Sequence, residues 1–214
     1  MKILFFGDSI TDMSRKRDAD GDVHSYGSGY VFLVTSKLLA DNPTKYEIIN
    51  RGNSGNRVVD LYARIKKDVW NECPDILSIL IGVNDVWHEL SENPNGVELA
   101  RWEKVYRMLI EDTRERLPNT KIMILEPFVL HGRATDFDDK YEDFQQVKSY
   151  AAKARELAEE YGLTFVPLQE KFDEAAEKYG EQYYLYDGVH PDVAGAALIA
   201  GEWLKAFEKM EKQQ

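Results

Sequence analysis

Five short apolar runs punctuate the chain: Ile3–Phe6, Tyr46–Asn50, Ile76–Ile81, Ile122–Leu125 and Thr164–Val166. Each is too short for a helix and has turn-forming residues beside it, so each reads as a buried strand. Between them, Tyr30–Ala40, Val58–Trp70, Glu98–Arg116 and Phe144–Tyr161 place apolar residues at helical steps. In the last of these Val147, Tyr150, Ala151, Ala154, Leu157 and Ala158 line up on one face. A final helix is predicted from Pro191 to Lys209, with Pro191 in its first turn, where a missing N–H costs nothing.

Strands alternating with helices imply a parallel sheet covered on both faces, because each crossover must carry the chain back to the same end. Ligands bind such sheets at the carboxyl ends of the strands. That directs attention to Gly7–Asp12, Arg51–Arg57, Gly82–Trp87 and the segment before the last helix. No repeat, low-complexity tract or Gly/Ser/Pro linker interrupts the pattern, so residues 1–214 read as one domain.

Composition narrows the function by exclusion. The residues are 43% hydrophobic and 30% charged, an ordinary globular balance. A formal net charge of -11 repels phosphate backbones and anionic membranes, which argues against both as partners. The basic cluster Arg15-Lys16-Arg17 is followed at once by Asp18, Asp20 and Asp22, giving a loop of mixed charge. That loop opens like a calcium-binding one, but Val23 stands where the glycine is needed and Gly29 where the bidentate glutamate belongs. One cysteine, Cys73, excludes an internal disulfide and a thiolate metal cluster, and is expected to be a small packing residue. Ile3–Phe6 is too short for a signal or membrane segment and no Asn-x-Ser/Thr acceptor occurs, which points to a cytoplasmic protein.

Four segments carry chemistry. After the first strand comes Gly7-Asp8-Ser9-Ile10-Thr11-Asp12, where Ser9 reads either as a nucleophile presented at a helix start or as the N-cap of that helix. Tyr186-Asp187-Gly188-Val189-His190-Pro191 could supply from one loop an imidazole to accept a hydroxyl proton and a carboxylate to fix its tautomer. The other histidines, His24, His88 and His131, have no such Asp-x-x-His arrangement. Gly82-Val83-Asn84-Asp85 closes the central strand with an amide able to donate to an oxyanion. Arg51-Gly52-Asn53-Ser54-Gly55-Asn56 offers glycines that let a backbone N–H approach a ligand. Taken singly, each also reads as an ordinary turn.

In this order the four segments resemble the sequence blocks of SGNH (GDSL-like) hydrolases, over Phe6 to about Gly195. The resemblance implies a three-layer α/β/α flavodoxin-like fold with a five-stranded parallel sheet. It implies Ser9 as nucleophile, His190 and Asp187 as the rest of a triad, and oxyanion donors from Ser9, Gly55 and Asn84, with Gly52 as the alternative to Gly55. Within the superfamily, Phe6–Asp12, Gly29–Val31, Ile81–Trp87 and Val189–Gly195 look closest to the intracellular acetyl-xylooligosaccharide esterases. Trp87 is then either a surface for a sugar ring or a packing residue under its loop. Tyr183, Tyr184 and Tyr186 read as core or rim.

The expected activity is removal of small acyl groups, acetyl above all, from saccharides through an acyl-enzyme, with no cofactor and no metal. A lysophospholipase or thioesterase acting on longer chains is the alternative on the same scaffold. A carbohydrate-binding protein without turnover is disfavoured by retention of every catalytic residue type. A phosphate-handling protein using Asp8 and Asp12 is disfavoured by the lack of a Gly-rich cradle after the first strand. The expected partner is a small ester or an esterified oligosaccharide, and a homo-oligomer stays open.

Overall fold

A computed structural model describes residues 1–212, and everything said of the structure concerns these residues. The strands are β1 (Lys2–Gly7), β2 (Glu47–Gly52), β3 (Ile76–Leu80), β4 (Lys121–Leu125) and β5 (Thr164–Val166). They form one five-stranded sheet in the order β2-β1-β3-β4-β5, with every pairing parallel. Registers Gly7↔Gly52 and Gly7↔Leu80 align the carboxyl ends of the three strands at the β2 edge.

The helices are α1 (Ser9–Asp12), α2 (Tyr30–Asp41), α3 (Val58–Ile65), α4 (Val83–Trp87), α5 (Leu99–Arg116), α6 (Tyr141–Phe144), α7 (Val147–Glu160), α8 (Gln169–Tyr179) and α9 (Val193–Lys212). They cover both faces of the sheet: α2 packs on α9, α3 on α5 and α5 on α7. The strand centres are largely apolar because both faces are covered, as in Ile3–Phe6 and Ile122–Leu125, and β3 is buried at every position. Trp203 of α9 lies 5.2 Å from the Phe5 ring, and its Nε1 donates to Ser78 Oγ at 2.9 Å. Burial of a core side chain such as Leu4 or Ile79 contributes about 1.5–3 kcal/mol.

Four expectations are corrected. The helix expected over Val58–Trp70 leaves α geometry at Ile65 and widens into a π-turn, Lys66–Trp70, closed by the Asn71 N–H on the Lys66 carbonyl at 3.0 Å. The extra residue keeps Val69 in the core and lets Trp70 Nε1 donate to Thr113. The helix expected over Phe144–Tyr161 is broken at Gln145–Gln146. Pro191 is not helical: it pairs with Leu185 in an isolated antiparallel bridge, and α9 starts two residues later. Cys73 is exposed, at a positive φ of 50°, not packed.

Candidate active site

Gly7 ends β1, and Asp8 turns the chain into α1. The helix cap is Asp8, whose Oδ1 accepts from the Ile10 N–H at 3.0 Å. Ser9 is therefore not the cap, and its hydroxyl is free to bond elsewhere. As the first helical residue, Ser9 also has an N–H without a helical acceptor. The Asp8 carboxyl is buried, and burial pushes its pKa up to about 7 against the Ile10 bond and the charges of His190 and Arg64.

The Leu185–Pro191 bridge and the Tyr186 N–H on the His190 carbonyl at 3.1 Å close the loop before α9. Within that loop, Asp187 Oδ1 accepts the N–H groups of Val189 at 3.0 Å and His190 at 2.8 Å. Its Oδ2 faces His190 Nδ1 at 2.8 Å, and His190 Nε2 lies 2.8 Å from Ser9 Oγ. Burial works against the charge on Asp187, but the bonds from the His190 ring and the two amides outweigh it and hold the carboxyl below the usual range. Ser9 and His190 are partly exposed while Asp187 is buried. Such a line can draw a proton from a hydroxyl that solutes reach, with the imidazole oriented from the protein side.

The two candidate glycines after β2 differ in kind. A Cβ on Gly52 would stand 2.2 Å from the Asp12 nitrogen, and the Gly52 N–H is already bonded to Asn50 Oδ1 at 2.8 Å. Gly52 is thus a close-approach glycine under α1. Gly55 has φ 80°, which favours glycine, and open space where a side chain would be. Its neighbours are committed: the Asn53 N–H to the Gly7 carbonyl, Ser54 N–H and Oγ to Asp12 Oδ2, and the Asn56 N–H to the Asn53 carbonyl. The Gly55 N–H has no such acceptor among the described residues.

Asn84 sits in α4, buried, and one hydrogen of its amide goes to the Asn56 carbonyl at 3.1 Å. That bond joins the β3 end to the β2 turn and leaves a second N–H to donate. Asp85, beside it, accepts the Val58 N–H at 3.0 Å on Oδ1, while its Oδ2 is buried without a partner. Burial holds this carboxyl well above the usual range, and nearby Asp8 adds to the effect.

Two aromatic rings neighbour His190. Trp87 is 5.9 Å away, tilted by 55°, and also meets Phe144 edge-on at 5.8 Å. Tyr186 is nearly parallel to the imidazole, 17° at 5.8 Å, and stands largely exposed with Tyr183. The acidic loop is exposed: Asp20 takes both end nitrogens of Arg51, and Asp22 caps a short turn through the His24 N–H.

Sequence reasoning singles out Ser9, Asp187, His190, Asn84 and Gly55 as candidates, and the structure brings Ser9, Asp187 and His190 into one hydrogen-bonded line. It misses the supports. The parts played by Asp12, Asn56 and Arg64 were not legible, because they run between segments far apart in the chain: Asp12 takes the Ser54 N–H, and Arg64 bonds Asn56 Oδ1 and the Gly7 carbonyl.

This fold and site define an acyl-transfer hydrolase, and comparison with known proteins agrees. The chain belongs to the GDSL-like lipase/acylhydrolase family, whose model matches residues 5–198, and it is a carboxylic ester hydrolase with the SGNH fold. It is 34% identical over 209 residues to an acetylxylan esterase of Geobacillus stearothermophilus, covering 95% of this chain and 92% of that one. A crystal structure of the Geobacillus stearothermophilus acetylxylan esterase superposes with a TM-score of 0.85 at 33% identity, covering 96% of this chain and 93% of that one. A candidate GDSL-like lipase from Parabacteroides merdae ATCC 43184 matches with a TM-score of 0.85 at 40% identity, over 96% of this chain and 94% of that one. Among the described residues, no helix is long and apolar enough to cross a membrane.

Proposed function

We propose that this esterase removes acetyl groups from saccharides through an acyl-enzyme, with Ser9 as nucleophile. The observation that carries the reading is the line from Ser9 Oγ through His190 to Asp187, with 2.8 Å at both steps. Related structures support it: alanine variants of a serine, an aspartate and a histidine of the Geobacillus stearothermophilus acetylxylan esterase are catalytic mutants of that enzyme. The aspartate and histidine replaced there stand three positions apart, as Asp187 and His190 do.

In this reading, Ser9 Oγ adds to the ester carbonyl while His190 Nε2 takes its proton. The carbonyl oxygen becomes an oxyanion received by the Ser9 N–H, the Gly55 N–H and the second Asn84 N–H. Collapse breaks the bond to the sugar oxygen, which leaves as the alcohol with the proton held by His190. Water then adds to the acyl-enzyme by the same route, with His190 again as base, and acetate departs. Asp187 stays ionised throughout and stabilises the imidazolium.

Trp87 beside His190 suits the apolar face of a sugar ring. The test compares p-nitrophenyl acetate, butyrate and octanoate with acetylated xylo-oligosaccharides. Acetyl esters should give the highest kcat/KM. Trp87→Ala should damage the saccharide reaction more than that of p-nitrophenyl acetate. A preference for octanoyl esters or lysophospholipids would transfer the activity to longer acyl chains, and equal damage to both acetyl substrates would make Trp87 structural.

A further inference from the structure

One side chain outside the triad touches several of the main-chain segments that assemble the site. Arg64, at the end of α3, has 18% of its side chain exposed. Its Nε donates to Asn56 Oδ1 at 2.7 Å, and its Nη2 to the Gly7 carbonyl at 3.1 Å. Its Nη1 donates to the Arg51 carbonyl at 2.9 Å and to Asp68 Oδ2 at 2.6 Å. The guanidinium also lies 4.4 Å over the Phe6 ring.

Arg64 and Asp68, four residues apart, look in the sequence like a surface ion pair, a contact that orders little. The structure gives a different distribution: only one of four acceptors is the carboxylate. The others are the end of β1, two residues before Ser9, the end of β2, and the residue that follows Gly55. A guanidinium presents five N–H groups in one rigid plane, so it can hold such acceptors in fixed relative positions, which a lysine cannot. Burial acts against the charge on Arg64 and Asp68 offsets it. A cation is kept in such a place only where its hydrogen bonds are met.

The line continues beyond Arg64. Asn56, whose side-chain oxygen Arg64 holds, gives its main-chain carbonyl to Asn84 Nδ2 at 3.1 Å. The Gly7 carbonyl that Arg64 shares with the Asn53 N–H sits at the root of the Ser9 turn. We infer that Arg64 is a positioning residue that sets the β1 end, the Asn56 turn and the Asn84 amide in one register, so that nucleophile and oxyanion donors meet at one point. This rests on the role proposed above for Asn84.

The experiment is a double-mutant cycle between Arg64 and Asn84. Ser9 is first titrated with a phosphonyl fluoride, so that kcat is expressed per labelled site. Arg64→Met and Arg64→Lys should label fully yet lose about 100-fold in kcat, the scale of a 1 Å misplacement, with KM unchanged. Arg64→Lys, which keeps the charge facing Asp68, should match the native melting temperature more closely than its kcat. In an Asn84→Ala background the same substitutions should cost less than in the native chain, because one of the groups they position is gone. Asn56→Ala approaches the line from the other end: it removes the Nε acceptor but keeps the carbonyl, and should lower kcat in the same way if Arg64→Met fails to fold. Losses that multiply independently in the two backgrounds would make Arg64 purely structural and overturn the inference. So would a reduced labelled fraction with full kcat per labelled site. An unaffected kcat in Asn84→Ala alone would instead remove the reading beneath it, and the inference with it.

Discussion

Asp187 binds His190 twice, at the ring through Oδ2 and at the main chain through Oδ1, both at 2.8 Å. One carboxylate thus fixes the imidazole tautomer and the loop that carries it. Asp187→Asn keeps an acceptor for the amides but presents either an amide hydrogen or a weaker acceptor to the ring. We expect kcat to fall by about 10⁴-fold, as for triads in general, with modest loss of thermal stability. Steady-state kinetics beside a melting curve checks this, and a variant with near-native kcat would show that Asp187 serves the loop alone.

Ser9 should be the residue labelled by organophosphates or sulfonyl fluorides, since His190 reaches its hydroxyl at 2.8 Å. Ser54 is the control, because its hydroxyl is already bonded to Asp12 at 3.0 Å. Intact mass and peptide mapping decide the matter. An adduct on Ser54, or continued activity in Ser9→Ala, would sink the assignment.

On the proposed mechanism, Asn84→Ala removes one oxyanion donor, and it breaks the bond to the Asn56 carbonyl. The expected cost is about 2.7–4 kcal/mol of transition-state stabilisation, or about 10²–10³ in kcat. KM should hardly move, because the donor faces the transition state more than the bound ester. A raised KM with intact kcat would place Asn84 among the substrate-binding groups.

Asp8 makes stability depend on pH. Its carboxyl is raised from 3.8 to about 7 by burial, so the folded state holds a proton that the unfolded state gives up. The cost is absent below the unfolded value, grows as pH rises toward 7, and is constant above that. At 1.36 kcal/mol per pKa unit, it approaches about 4 kcal/mol. Asp187 acts in the opposite sense, since its depressed carboxyl gives stability above the unfolded range that is lost as pH falls through the folded value. Comparing Asp8→Asn with the native chain isolates Asp8, because the amide can still accept the Ile10 N–H. The variant should gain stability over the native protein progressively from pH 4 to 7 in urea unfolding. A pH-independent difference would mean that Asp8 is ionised throughout.

The strands were legible because burial on both faces leaves short, mainly apolar runs, unbroken in Ile3–Phe6 and Ile122–Leu125. The hydrogen-bonded line of Ser9, His190 and Asp187 was legible because Asp187 and His190 share a loop and Ser9 follows a strand at once. Helix α8 escaped notice because Phe172 is its only fully buried apolar residue, and the other apolar positions are two small alanines, Ala175 and Ala176, and the exposed Tyr179. Pro191 misled because the features of a first helical turn also suit the start of a bridge. Gly52 and Gly55 could not be distinguished in the sequence, since both precede a polar residue; in the structure they differ in the approach of Asp12, the bond from the Gly52 N–H to Asn50 and the positive φ of Gly55.

Ser9 and His190 stand 181 positions apart. A nascent chain emerging from the ribosome therefore presents the Ser9 hydroxyl 181 positions ahead of the His190 imidazole. On the proposed mechanism, until the Asp187–His190 loop docks against the end of β1 the Ser9 hydroxyl lacks the imidazole that takes its proton, so a chain that stops short of that loop should not cleave esters. Ordering that long span is among the slower events available to a domain of this topology. Appearance of esterase activity is consequently a clock for the final closure of the whole sheet, and it reads out completion rather than early collapse.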